Sequence, residues 1–73
     1  MAWLWTHPRN QRWYRVGLQR DLLGALHLVA TWGGPQRAAA ASKSVLISTR
    51  EQLRSELKRH ARRRHARGYI DVV

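Results

Sequence analysis

Arginine is the residue on which any chemistry of this chain has to be built. Twelve Arg and two Lys stand against four Asp and Glu, a formal net charge of +10 in 73 residues. Eight of these cations, Arg50, Arg54, Lys58, Arg59, Arg62, Arg63, Arg64 and Arg67, fall in one stretch opposed only by Glu51 and Glu56. Like charges repel in the compact state, so folding does not require such an excess. It points to a polyanionic partner, of which nucleic acid is the commonest. Arg in preference to Lys suits bidentate phosphate contacts and stacking on bases. A GC-rich genome would also favour Arg codons, which accounts for the choice of Arg but not for the net charge. A solvated helix with cations near its C-terminus explains two or three of them. It does not explain the Arg62, Arg63, Arg64 cluster.

The second chemical feature is the stretch from Ala25 to Arg37, where a strand-like run ends on Trp32 and runs into Gly33, Gly34 and Pro35. The two glycines let the backbone turn sharply or approach another molecule closely, and Pro35 ends any hydrogen-bonded ladder. Trp32 then sits at the lip of a sheet, with Arg37 and Lys43 flanking the loop as phosphate contacts. It reads either as a core anchor for the hairpin or as a stacking platform for a base or sugar. Trp13 and Arg15 form a second such pair, or an arginine lying on an exposed ring.

Other chemistries find little support. With no Cys there is neither a disulfide nor a thiolate metal site, which fits a reducing cytoplasm. His60 and His65 are five apart and do not share a helix face, and His7 and His27 lie elsewhere. No P-loop, dinucleotide-binding glycine pattern or paired carboxylates are present, so the expectation is a protein that is not an enzyme and uses no metal or cofactor. No apolar run approaches the roughly 18 residues that span a bilayer, and the first residues lack a signal peptide's charged and apolar regions. A basic amphipathic helix could lie on anionic lipid, but its apolar stripe is narrow and already needed for the core. No membrane partner is expected.

The elements that must position these groups follow from periodicity. Residues 12 to 19 alternate, with Tyr14, Val16 and Leu18 on one face and Trp13, Arg15 and Gln19 on the other. Leu26, Leu28, Ala30 and Trp32 share a face, with His27, Val29 and Thr31 opposite. Asp21 to Gly24 is the turn between them, because Asp starts turns through its side-chain oxygen and Gly24 can take a positive φ. Ala38 to Ala41 is expected as loop, and Lys43 to Ser48 as a third strand centred on Val45, Leu46 and Ile47. Ser48 and Glu51 make a capping box for a helix running to about Ala66, whose stripe is Leu53, Leu57 and Ala61. Gly68 is a C-cap, and residues 69 to 73 read as a short last strand. Residues 1 to 11 form an irregular arm or a short edge strand. Its Trp3, Leu4 and Trp5 cover an open end of the sheet, or else serve as a stacking platform or oligomer contact. The fold class is α+β: a small antiparallel sheet, made of a hairpin and one or two further strands, with one C-terminal helix packed on it. A chain this short buries only about 60% of its unfolded surface, so the core is small.

This order of features resembles the WGR domain, a small module of poly(ADP-ribose) polymerases and of short bacterial proteins. Arg12 to Gln19 matches its first strand, Asp21 to Gly24 the turn, Leu26 to Trp32 the second strand, and Trp32, Gly33 and Gly34 stand at the signature. Val45 to Ile47 precede the helix and Gly68 and Tyr69 follow it. The resemblance covers about residues 12 to 70 and implies a single WGR-like domain over 12 to 73. The signature arginine is Gly34 here. In multidomain relatives the module binds DNA ends and relays that binding to neighbouring domains.

Residues and resemblance together predict a nucleic-acid-binding module that uses Trp13, Arg15, Trp32, Gly33, Arg37, Lys43, Lys58, Arg59, Arg62, Arg63, Arg64 and Arg67. DNA is preferred over RNA, with contacts to phosphate backbone or ends and little base readout, and with a nucleoid-associated, cytoplasmic location if the source is bacterial. The rival from another class is a small accessory or inhibitor whose basic face docks on an acidic protein or a nucleoprotein complex. The sequence leaves the oligomeric state open.

Overall fold

The computed structural model describes residues 2–35 and 40–72. In chain order they form β1 (Ala2–Thr6), β2 (Trp13–Arg20), β3 (Leu26–Gly33), β4 (Ala41–Ile47), α1 (Arg50–Ala66) and β5 (Ile70–Asp71). The strands make one antiparallel sheet in the order β4-β3-β2-β1-β5. This is the α+β architecture expected, with a helix laid on one face of an antiparallel sheet.

The hairpin is the sheet's backbone. All eight residues of β2 pair with β3, from Trp13 opposite Gly33 to Arg20 opposite Leu26. Asp21 Oδ1 accepts the Leu23 and Ala25 N–H groups at 2.9 and 3.0 Å, and Gly24 takes φ +85° to close the turn. His27 Nε2 donates to the same carboxylate at 2.9 Å.

The segment of residues 1 to 11, read as an irregular arm or a short edge strand, holds a strand over Ala2–Thr6. Ala2–Thr6 pairs in full with β2 and on its other side with β5, so it lies inside the sheet rather than at its edge. Trp5 is 4% exposed and belongs to the core, with the partly buried Trp3 packed against it, while Leu4 is half-buried on the opposite face; Trp5 is thereby removed as a solvent-facing platform. His7 holds the following turn: its Nδ1 accepts from Arg9 N–H at 3.2 Å, and its ring meets Tyr69 edge-on.

Register sets the helix-side face row by row. Trp5, Tyr14, Trp32 and Ala41 form one row; Trp3, Val16, Ala30 and Lys43 the next; then Leu18, Leu28 and Val45. Val16 and Leu28 are the most deeply buried, and Leu53, Leu57 and Ala61 of α1 pack over this layer. The strand read as starting at Lys43 begins at Ala41, because Ala41 pairs with Trp32. Of the alanine run expected as loop, Ala38 and Ala39 lie outside the described residues.

The helix cap sits one residue later than the sequence suggested. Thr49, not Ser48, accepts the Gln52 N–H at 3.0 Å. Gln52, not Glu51, reaches back, accepting from Ser48 N–H at 2.8 Å while its amide donates to Leu46 O at 2.8 Å. Gln52 thereby ties the helix start to the end of β4. At the other end Gly68 takes φ +88°; its N–H reaches His65 O, and the Tyr69 N–H reaches Arg64 O. That reversal sends the chain back to pair with β1. Among the described residues no helix is long and apolar enough to cross a membrane.

Candidate nucleic-acid interface

Helix and sheet close over each other at one end and part at the other. Leu53 and Leu57 complete the apolar layer near the start of α1. One turn further on, the positions facing the sheet hold His60, Ala61 and Arg64. Below them Ala30 and Ala41 are too small to fill the space beside Tyr14 and Trp32. The outcome is a cleft of about 400 Å³, floored by Leu28, Ala30 and Val45 and walled by Tyr14, Trp32 and Tyr69.

Its charge is one-sided. Arg59, Arg63 and Arg67 recur every four residues and so descend one flank of α1 along the cleft's mouth. Arg12 and Lys43 reach it from the sheet, Arg64 sits inside it, and no carboxylate lines it. Three of the protein's four acids are paired: Asp21 with His27 and Asp71 with His65, away from the cleft, and Glu56 with the cleft residue Arg59. The His27 and His65 hydrogen bonds hold the Asp21 and Asp71 carboxyls below the usual carboxylate range.

Arg64 overturns part of the expectation from sequence. It is 7% exposed, the most buried residue of α1, and not part of an exposed Arg62, Arg63, Arg64 cluster. Its guanidinium carbon lies 4.0 Å from the centre of the Tyr14 ring and 5.2 Å from that of Tyr69. Arg64 extends the stripe of Leu53, Leu57 and Ala61 by one more turn, a continuation readable from spacing alone.

The remaining expected residues separate by geometry. Trp32 lies on the helix side, half-buried and stacked on Tyr14 with ring centres 5.6 Å apart and planes 10° from parallel, so it is both core neighbour and cleft wall. Lys43, Arg59, Arg63 and Arg67 share the cleft with it. Trp13 borders the cleft, but its indole covers Gly33: a Cβ at Gly33 would come within 2.9 Å of it. Gly33 makes room for the Trp13 ring and also lines the cleft. Arg15 is on the opposite sheet face, in register with Leu4 and Thr31, and does not join the cleft. Lys58 and Arg62 are exposed on the outward side of α1. Arg37 lies outside the described residues.

Four polar or aromatic cleft residues were absent from the expected set, Arg12, Tyr14, His60 and Tyr69, as were the apolar floor residues Leu28, Ala30 and Val45. His60 Nδ1 is 3.4 Å from the Tyr14 hydroxyl. Burial, reinforced by Arg59, lowers its pKa below the usual histidine value. Among the described residues no group of His, Asp or Glu side chains is placed to hold a metal ion. No family model, curated protein or solved structure matches the chain.

Proposed function

We propose that the protein binds nucleic acid, DNA before RNA, through its phosphates, and that the cleft between α1 and the sheet is the contact surface. The observation that carries this reading is the convergence of Arg12, Lys43, Arg59, Arg63, Arg64 and Arg67 on one cleft without a lining carboxylate. Like charges at close range, of which only Arg59 has an acidic partner among the described residues, raise the energy of the folded state, and a polyanion offsets that cost when bound. The aromatic walls suit stacking, which is indifferent to sequence. Among the described residues no row of Asn, Gln and Arg is presented for a major groove, so little base readout is expected. The WGR resemblance of Trp32 and its surroundings supports the same reading.

The test is salt dependence. With the five cations at the cleft mouth on phosphates, log K against log salt should fall with a slope of about −4 to −5 on duplex DNA. Affinity indifferent to salt between low and physiological concentration would remove the phosphate-driven reading. An accessory role on an acidic protein draws on one further observation: Leu22 and Leu23 stand fully exposed at the tip of the β2–β3 turn. A protein that ignores duplex DNA and RNA at low salt would move the balance to that role.

A further inference from the structure

Arg64 carries an unmet demand. It is nine-tenths buried, its Nε has no hydrogen-bond partner, and none of the ion pairs among the described residues includes it. Nε is the one of its nitrogens found both cut off from water and without an acceptor, and a buried charged group with an unmet donor is costly. The Tyr14 and Tyr69 rings offset part of that cost through their π faces, but they accept none of the in-plane donors well. Buried polar groups are nearly always hydrogen-bonded, so such a donor calls for a partner from outside the chain: water, an ion or a ligand. A compact anion with oxygens in the guanidinium plane would supply the acceptor and balance the charge.

The cleft around Arg64 fits a larger molecule than a bare anion. Its volume of about 400 Å³ lies within the range of small-ligand sites, roughly 300–1,000 Å³. Trp32 stacks on Tyr14 on one side, while its neighbour on β4 is only the methyl group of Ala41, which leaves ring surface for a planar guest. Lys43, diagonal to it on the same face, and Arg63 and Arg67 above supply further phosphate donors. A duplex is far too wide to enter such a cavity and can reach only its rim. A single unpaired nucleotide can enter.

We infer that the cleft is a site for one nucleoside phosphate, with the phosphate paired to Arg64 and the base laid on Trp32. Resting on the cleft proposed as the nucleic-acid interface, the site makes it selective for an unstacked nucleotide over intact duplex. Arg64 is the buried anchor; Arg59, Arg63 and Arg67 guide the anion in. The same chemistry is offered by a free nucleotide and by a nucleotide within a single strand.

The experiment is a titration of the protein followed by ¹H–¹⁵N NMR, reading the Arg64 Nε–H and the Trp32 indole N–H. The probes are adenosine monophosphate, adenosine, inorganic phosphate, a thymidine pentanucleotide without terminal phosphate, and a 20-base-pair duplex. The expected result is saturable movement of both signals with adenosine monophosphate, binding at least tenfold weaker with adenosine or phosphate alone, and at least tenfold weaker binding by Arg64→Lys. Because Arg64 variants risk unfolding, Lys43→Gln serves as the second variant and should weaken nucleotide binding about threefold or more in a folded protein. Movement with both the mononucleotide and the pentanucleotide, or with either alone, supports the site and names its source. If duplex binds with a steep salt slope while neither single-stranded probe moves either signal, the nucleotide site is wrong and the phosphate-backbone reading survives. If duplex and both single-stranded probes leave the spectrum unchanged at low salt, both fail together.

Discussion

The two halves of α1 meet the same sheet in opposite ways. The first two turns place Leu53 and Leu57 on the closed part of the apolar layer, to which Leu26 and Ile47 belong. The last two turns place His60 and Arg64 over Tyr14, with Arg63 and Arg67 at the margin and an open cleft between helix and sheet. The first half holds the helix down through area removed from water. Its second half is held by stacked rings, by the reversal at Gly68, and by cations that a helix C-terminus favours. One 17-residue helix is thus clamp at one end and binding surface at the other. In a chain too short for two layers of core, a site is obtained by leaving part of the only interface unfilled.

The comparison breaks most visibly at the core residue that also floors the cleft. Leu28→Ala removes a side chain that is 2% exposed and should cost about 2–5 kcal/mol, a large part of the stability of a domain this small. Urea denaturation followed by circular dichroism should show the variant largely unfolded. A midpoint unchanged from the parent would mean that Leu28 is not the keystone of this layer.

A smaller effect is expected at the open end, and on a different quantity. Arg63→Gln with Arg67→Gln should stay folded within about 0.5 kcal/mol, since exposed charges contribute little to stability. On duplex DNA it should reduce the magnitude of the salt slope by about two. Arg54→Gln with Arg62→Gln, which removes the same charge from positions outside the cleft, should weaken binding less. Equal losses from the two pairs, measured by fluorescence anisotropy at matched salt, would show that net charge and not the cleft decides.

The smallest effect is pH dependence at the junction of the two halves. Burial and Arg59 lower the His60 pKa below 6.5, so the unfolded chain takes up this proton more readily than the folded one. Stability should therefore fall as pH drops through about 6.5 toward the lower folded value, then cease to change on this account. Asp21 and Asp71, lowered by their histidine partners, lose their stabilising effect only near and below the carboxylate range, outside that window. Melting temperature between pH 7.5 and 5 should decline in the parent and decline less in His60→Gln. Matching curves would place His60 in water.

The boundaries of most elements were legible in the sequence because they are set locally. Alternation fixed both faces of β2 and β3, Asp21 and Gly24 fixed the turn between them, and Gly68 fixed the helix end. The cap slipped by one residue because two adjacent hydroxyl residues, Ser48 and Thr49, each stand three residues before a side chain able to reach back. Only the position of Leu46 O, which the Gln52 amide reaches, distinguishes them. The strand at Ala2–Thr6 was less legible because its pairing partners, β2 and the two residues of β5, lie as far as 66 positions away.

Composition and spacing alone determined that this chain is a strongly cationic hairpin-and-helix module with an aromatic at the sheet's end. They could not sort its cations. Whether an arginine faces solvent, a cleft or a ring depends on what the fold lays against it, and such contacts join residues far apart in the chain. Arg62 and Arg64 show this most sharply: two positions apart and identical in chemistry, one is exposed and the other is buried against Tyr14, fifty residues away. The helix's 100° rotation per residue separates them, and the sheet beneath decides which of the two is enclosed.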